Sequence, residues 1–442
     1  MSGIAEVLIN LGFTVTGSDM RLSSTTDYLE KLGAGIAQGH DPENVADADV
    51  VVYSSAVKLD NTEIRYAHSQ KIPVIRRAEM LGELMRLKQG IAVAGTHGKT
   101  TTTSMVGMVL QKGGIDPTLI VGGKVRSLKT NAKLGRSDYM VVEADEFDRS
   151  FLKLVPNIAI ITNIESDHLD CYKDLDEIKR TFLQFANSVP FYGLIIYCLD
   201  EKGLQEIASG FERRIMTYGF DPQAEVRAVD INLDKFNVDF TVKWKNKSLG
   251  RVALKLPGEH NVKNSLAAIA AGLEFKMPFK KIKQALEEFS GVHRRFEIKK
   301  DQDDILVVDD YAHHPTEIKA SLKGARGGFD KRIIAVFQPH LFSRTRDFYK
   351  DFAQSFFDAD ILIVSAIYPA REKPIPGVNG DMIANEALKM GHKEVFFIKE
   401  ENEVVKKLLE IVRKGDLIIT IGAGDIWKVG DLFIKEYWPC KP

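Results

Sequence analysis

Gly95-Thr96-His97-Gly98-Lys99-Thr100-Thr101 gathers two glycines, a lysine and several hydroxyl side chains into one short segment. That set suits a polyphosphate. Backbone N–H groups of a glycine-rich turn and of a helix N-terminus face phosphate oxygens, Lys99 adds a compact positive charge, and Thr100 offers a hydroxyl to Mg²⁺. The frequent form of such a loop is G-x-x-x-x-G-K-[S/T], whereas this chain carries the shorter G-x-x-G-K-T-T. Its flanks agree with the chemistry. The apolar run Ile91–Ala94 reads as a strand, and Met105, Val106, Val109 and Leu110 recur at helical spacing until Gly113-Gly114. We read Gly95 through Thr101 as a nucleotide site.

Polar clusters recur where other apolar runs end. Tyr139–Val142 leads into Glu143-Ala144-Asp145-Glu146-Phe147-Asp148, and Ile158–Thr162 into Asn163-Ile164-Glu165-Ser166-Asp167-His168. In open parallel sheets ligands bind outside the carboxyl ends of strands. A carboxylate such as Glu143 there can hold the Mg²⁺ that Thr100 also touches. Pro257-Gly258-Glu259-His260-Asn261-Val262-Lys263-Asn264 opens an alanine-rich helix that brings His260, Asn261 and Asn264 within about a turn of one another. They suit a base, ribose or phosphate, although Asn261 could equally cap the helix. Arg294-Arg295 is a basic pair that could reach a γ-phosphate. Further on, strands run into Asp309-Asp310-Tyr311-Ala312-His313-His314-Pro315, Gln338-Pro339-His340-Leu341-Phe342-Ser343-Arg344 and Gly422-Ala423-Gly424-Asp425. Three such clusters on one sheet predict a pocket for a small polar molecule with a carboxylate.

The elements that must position these groups form three α/β blocks, residues 1–88, 89–290 and 291–442. Strands are expected at Thr14–Gly17, Val50–Tyr53 and Val74–Ile75 in the first block. The second has Ile91–Ala94, Tyr139–Val142, Ile158–Thr162 and a β-rich stretch over Asn237–Leu256. The third has Ile305–Val308, Ile333–Phe337, Ile361–Val364, Val395–Ile398 and Leu417–Ile421. Alternating β and α elements predict parallel sheets covered on both faces. The chain opens into a helix at Ser2–Leu11 with no strand before it. Either the first block begins with a helix, or an opening strand and glycine-rich turn precede Met1.

Composition limits the partners. The 442 residues are 44% hydrophobic and 27% charged, and 60 Lys plus Arg against 61 Asp plus Glu leave a net charge of −1. No general attraction to nucleic acid or membrane follows. Cys171, Cys198 and Cys440 lie far apart without metal-site spacing and fit a reducing compartment. With no apolar run of membrane length and no signal-peptide pattern, the expected address is the cytoplasm.

In sum these strings resemble the ATP-dependent Mur ligases of peptidoglycan synthesis. The likeness rests on Gly39-His40-Asp41-Pro42-Glu43-Asn44, the Gly95 loop, Glu143-Ala144-Asp145-Glu146, Asn163 to His168, Gly258-Glu259-His260-Asn261, Arg294-Arg295-Phe296, Asp310 to Pro315 and Gln338-Pro339-His340, in order over nearly the whole chain. The resemblance implies an α/β fold of three domains: a Rossmann-like UDP-binding domain lacking its first strand, a central P-loop ATPase-type α/β domain, and a C-terminal Rossmann-like domain. It implies an ATP- and Mg²⁺-dependent ligase that joins L-alanine to the lactyl carboxylate of UDP-N-acetylmuramate through an acyl phosphate, as a monomer or weak homodimer.

The residue roles follow from the same resemblance. Asp19, His40, Ser54 and Ser55 match positions near the uridine nucleotide. Thr100 and Glu143 match ligands of one Mg²⁺, and His168 a ligand of a second. Besides the loop, His260, Asn261, Asn264, Arg295 and Asp310 match nucleotide contacts. Tyr311, His313, His340 and Arg344 match the region that positions L-alanine. Lys99, His168, His313 and Arg344 are the expected catalytic groups, with His313 or a carboxylate taking the amine proton. Two departures stand out: the strand and turn before Met1, and Leu341 where many relatives carry Arg. The rival readings are a ligase that attaches a recycled tripeptide to UDP-muramate and a non-catalytic UDP-sugar or nucleotide-binding protein.

Overall fold

The computed structural model describes residues 1–126, 130–167, 171–370 and 372–439. They divide into two compact units. One comprises Met1–Val229, Val242–Gly250 and Lys263–Phe289; the other comprises Asp230–Thr241, Arg251–Val262 and the chain from Ser290 onward.

The first unit opens with two small parallel pairs. β1 (Thr16–Asp19) pairs with β2 (Gly35–Gln38), and β3 (Val51–Tyr53) with β4 (Val74–Arg76). Among the described residues no ladder joins β1–β2 to β3–β4. β3 and β4 are half-buried runs of Val-Val-Tyr and Val-Ile, whereas β1 and β2 are more exposed and few apolar residues mark them in the sequence.

The main sheet follows: β5 (Gln89–Ala94), β6 (Thr118–Ile120), β7 (Ala132–Lys133), β8 (Tyr139–Glu143), β9 (Ile158–Ile161), β10 (Leu194–Cys198) and β11 (Arg214–Gly219). Their order is β11-β10-β9-β5-β8-β6-β7, and the strands β12 (Val226–Asp234), β13 (Asn237–Trp244) and β14 (Lys247–Leu254) continue it beyond β11. β9 and β10 are unbroken apolar runs, and in β5 Ile91, Ala92, Val93 and Ala94 are all buried, as a parallel strand covered on both faces requires. β5 lies between β8 and β9, with Val93 opposite Glu143 and Ala94 opposite Ile161. Three neighbouring strands therefore deliver their carboxyl ends to one crevice.

The helix Lys99–Gly113 rises directly from β5. Gly98 and Gly114 bound it, both with positive φ (81° and 94°), where glycine escapes the Cβ clash. Its first turns hold four consecutive threonines, poor helix formers on intrinsic propensity. Burial offsets that. Thr102 and Thr103 are wholly inside, and the Thr103 and Ser104 hydroxyls donate to the Lys99 and Thr100 carbonyls at 2.7 Å each.

The second unit contains β15 (Glu297–Gln302), β16 (Ile305–Asp310), β17 (Arg332–Phe337), β18 (Ile361–Val364), β19 (Val395–Phe397) and β20 (Asp416–Ile421) in the order β15-β16-β20-β17-β18-β19. Only the edge strand β15 is antiparallel. Leu306, Val308 and Ile333 face one apolar core, and Ile305, Val307 and Ile334 the other, so the period-2 alternation feeds both covered faces. β16, β20 and β17 are adjacent, and their ends carry the Asp309-Asp310, Gly422-Ala423-Gly424 and Gln338-Pro339-His340 clusters together.

Candidate active site

The phosphate loop is fixed by the segment after β9. The His97 backbone N–H donates to Asn163 Oδ1 at 2.8 Å, and the His97 carbonyl accepts from the Thr162 hydroxyl at 2.6 Å and from Asn163 Nδ2 at 3.1 Å. Thr96 Oγ1 accepts the Glu165 N–H at 2.9 Å, while His97 Nε2 lies 3.4 Å from Glu165. No side chain would fit at the two glycines. A Cβ on Gly95 would meet Thr162 Oγ1 at 2.0 Å, and one on Gly98 would meet Asn264 Oδ1 at 2.6 Å. Asn264 also accepts from the Thr102 hydroxyl at 3.1 Å. Gly95 through Thr101 thus form one loop held against Thr162, Asn163, Glu165 and Asn264.

Lys99 curls back over that loop. Its ammonium donates to the Gly95 and Thr96 carbonyls at 2.7 and 3.1 Å and to both oxygens of Glu146 at 3.0 and 2.8 Å. Burial alone would lower the ammonium pKa, but the charges of Glu146, Asp145 and Glu143 outweigh it and hold Lys99 above the ordinary lysine value. The lysine is therefore a permanent cation at neutral pH. Glu146, only 2% exposed, is a site residue that the sequence reading passed over within its acidic run.

Thr100 donates to both oxygens of Glu143 at 3.0 and 2.9 Å, and Gly122 N–H donates to Glu143 Oε2 at 2.8 Å. The hydroxyl and carboxylate expected to share a cation are in contact, and both are hard oxygen donors of the kind Mg²⁺ prefers. His168, the expected ligand of a second ion, lies outside the described residues.

At the start of the first unit, Asp19 ends β1, His40 follows β2, and Ser54 and Ser55 follow β3, each at the carboxyl end of a parallel strand. Asp19 accepts the Arg21 N–H at 3.0 Å, and the Ser54 carbonyl accepts the Val57 N–H at 3.0 Å.

In the second unit, the His260 ring lies against Gly258, where a Cβ would meet it at 2.6 Å. Asn261 lies inside the helix Glu259–Glu274, and its side-chain amide donates to the Pro257 carbonyl at 2.7 Å. The basic pair separates into two roles. Arg294 is locked in place by Asp309 at 2.9 Å and by the Gly422 and Gly424 carbonyls at 2.7 and 3.0 Å. All three of its guanidinium nitrogens are thus engaged within the second unit. Arg295 lies 3.6 Å from Glu317 and 5.1 Å over the Tyr311 ring. Glu317 also accepts the His313 N–H at 3.0 Å and lies 3.3 Å from His313 Nδ1, so this unforeseen carboxylate organises two predicted residues. Tyr311, His313 and His340 form a chain of ring contacts, at 5.3 and 5.9 Å, that ends with Tyr368 stacked on His340 at 5.7 Å. Arg344 is buried in the first turn of the helix Phe342–Gln354, just after Leu341, whose φ is 71°.

Asp310 is buried, accepts the Ala312 N–H at 3.1 Å, and accepts a short hydrogen bond from Ser321. Burial pushes its carboxyl up to about 6, against the pull of Ser321 and Arg295. A carboxyl whose native pKa is raised favours the fold below its unfolded value near 3.9, and that contribution is lost as the pH climbs through the native pKa. Asp310→Asn is therefore expected to raise the unfolding free energy at about pH 8, by no more than about 3 kcal/mol, and to leave it unchanged below about pH 4. Thermal melts across that range check this; a gain that is the same at both ends would contradict it.

Comparison with known proteins agrees with this geometry. Residues 1–89, 93–272 and 294–424 match, in order, the models described as Mur ligase family, catalytic domain; Mur ligase middle domain; and Mur ligase, glutamate ligase domain. A UDP-N-acetylmuramate–L-alanine ligase of Geotalea uraniireducens is 53% identical over 436 residues, covering 99% of this chain and 95% of that protein. The ligase of the same name from Geobacter sulfurreducens is 50% identical over 438 residues, covering 99% and 95%. Among solved structures, UDP-N-acetylmuramate-alanine ligase MurC from Thermotoga maritima has a TM-score of 0.84 at 31% identity, covering 100% of this chain and 97% of that one. A murein peptide ligase from Psychrobacter arcticus has a TM-score of 0.73 at 27% identity, covering 100% and 97%. With a short phosphate loop pinned between the ends of β5, β8 and β9, a second parallel sheet ending in histidines, and three family domains in sequence, this chain belongs to the Mur ligase family.

Proposed function

We propose that the chain is the ligase that joins L-alanine to the lactyl carboxylate of UDP-N-acetylmuramate, with cleavage of ATP to ADP and phosphate, in peptidoglycan precursor synthesis. The carrying observation is the cradle at Gly95–Thr101, with Lys99 and the Thr100–Glu143 pair on adjacent strand ends, in a chain 53% identical over 436 residues to a ligase of that name. Lys99 together with the Thr100–Glu143 pair favours turnover over nucleotide binding alone.

A carboxylate is a poor electrophile, so the lactyl oxygen first takes the γ-phosphoryl group of ATP and ADP leaves. The neutral amine of L-alanine then attacks the acyl carbon, a proton departs, and the tetrahedral species expels phosphate to leave the amide. Lys99 stabilises the transferring phosphoryl charge. Thr100, Glu143 and His168 would hold Mg²⁺, which when bound offsets phosphate charge. His260, Asn261, Asn264, Arg295 and Asp310 are assigned to the nucleotide, and Asp19, His40, Ser54 and Ser55 to the UDP moiety. Tyr311, His340 and Arg344 position L-alanine, with His313 accepting its proton. The domains divide at 1–88, 89–290 and 291–442. Among the described residues no helix is long and apolar enough to cross a membrane. We assign the protein to the cytoplasm, where its nucleotide substrates are made, as a monomer or weak homodimer without nucleic-acid partners.

Phosphate release measured with UDP-N-acetylmuramate, ATP and either L-alanine or the L-alanyl-γ-D-glutamyl-diaminopimelate tripeptide tests the reading. Turnover is expected with L-alanine. Turnover with the tripeptide alone would assign the chain to peptide recycling, and turnover with neither would leave a binding protein.

A further inference from the structure

The most heavily engaged carboxylate of the first block is Glu63, a residue with no place in the motifs above. It sits on the helix Thr62–Ser69 and is only 8% exposed. Its Oε2 accepts the Ser18 hydroxyl at 2.8 Å and lies 3.2 Å from His40 Nδ1. Its Oε1 accepts Asn44 Nδ2 at 2.8 Å and the Asp41 N–H at 3.4 Å. The whole Gly39–Asn44 string after β2 is thus hung on one carboxylate, which also reaches the end of β1.

The hydrogen bonds dictate where the imidazole proton sits. The Ser18 proton is committed to Glu63, so the Ser18 oxygen, 3.1 Å from His40 Nδ1, can only accept from it. A carboxylate likewise only accepts. Both neighbours of Nδ1 therefore require a proton on that nitrogen, and in the neutral ring Nε2 is left with its lone pair. Nε2 has no protein partner among the described residues.

We propose that Glu63 is a positioning residue of the uridine site, holding His40 as the Nδ1–H tautomer so that Nε2 faces the ligand as a hydrogen-bond acceptor. The ligand group that meets it is then a donor, either the imide N–H of uracil or a ribose hydroxyl, and not a carbonyl or phosphate oxygen. This rests on the assignment of His40 to the UDP moiety.

The test combines nitrogen-detected NMR of the full chain labelled with ¹⁵N-histidine and steady-state kinetics. Above the histidine pKa, wild-type His40 is expected to show a protonated Nδ1 and a bare Nε2; a ring protonated at Nε2 overturns the proposal without any variant. In Glu63→Gln the side-chain amide can donate to Nδ1, so the tautomer is expected to invert. KM for UDP-N-acetylmuramate should then rise about tenfold or more, with KM for ATP and the saturated rate within about twofold. An inverted tautomer with unchanged KM overturns the proposal, as does an unchanged tautomer. His40→Ala separates the two levels: if it leaves KM for the UDP substrate unaltered, the assignment of His40 itself fails. Binding of UDP, N3-methyl-UDP and the deoxy-UDPs to wild type identifies the donor, as whichever analogue lacks it loses affinity. If none does, the acceptor role is refuted.

Discussion

Lys99→Ala is expected to lower ATP-dependent ligation by about 10³-fold, and to destabilise the fold as well. The rate loss is expected because the proposed mechanism places the Lys99 ammonium at the transferring phosphoryl group. The stability loss follows from Glu146. That carboxylate is buried, and both its oxygens contact the Lys99 ammonium within 3.0 Å. Truncating one partner of a buried pair strands the other charge, at a cost of about 3–5 kcal/mol. The single variant therefore confounds chemistry with folding. Lys99→Ala combined with Glu146→Gln separates them, because a neutral amide needs no counter-ion: melting should recover most of the loss while phosphate release stays near background. Activity in either variant close to wild type would remove Lys99 from the mechanism.

The contrast between Lys99 and Glu146 shows what the sequence can express. The loop is legible because its information is local. Glycines at set spacing, an apolar strand before and a helical period after leave few other conformations. The acidic run after β8 is legible in part. Glu143, at the strand's carboxyl end, is the expected partner of Thr100 and lies against it, whereas nothing local marks Glu146 for burial against Lys99. Tertiary partners were harder still. Glu63 lies 23 residues from His40, and Glu317 lies 22 residues from Arg295, with no period linking them. Adjacent residues can also mislead: Arg294 and Arg295 look alike and both lie 5.1 Å over the Tyr311 ring, but one is bound to Asp309 and two carbonyls while the other lies beside Glu317.

The strands follow the same division. β18 falls at Ile361–Val364, and β17 and β20 are each one residue longer than their expected spans, because unbroken apolar runs have no other use in a parallel sheet. β2, at Gly35–Gln38, lies outside the expected strands, as do β6, β7, β10, β11 and β12. β2 is half-exposed and short, with only Ile36 and Ala37 apolar, and it pairs in register with β1.

Glu143→Gln carries the second large effect. Its carboxylate is held from two sides, by the Thr100 hydroxyl and by the Gly122 N–H. Gly122 is small for a reason: a Cβ there would meet Glu143 Oε2 at 2.9 Å. The amide keeps the shape and the contact with Thr100 but loses the negative charge, which is what a divalent cation binds. The rate at about 1 mM Mg²⁺ is expected to fall by about 10²–10³-fold, with the Mg²⁺ dependence displaced to higher concentration and part of the rate regained there. Gly122→Ala should displace the carboxylate without discharging it, giving a smaller shift in the same direction. Thr100→Ser, which keeps the hydroxyl, should stay near wild type. Magnesium titrations of phosphate release distinguish these cases. If Glu143→Gln loses rate at every Mg²⁺ concentration by the same factor, the carboxylate acts on the substrate and not through the ion; if it loses none, the strand end of β8 has no part in the reaction.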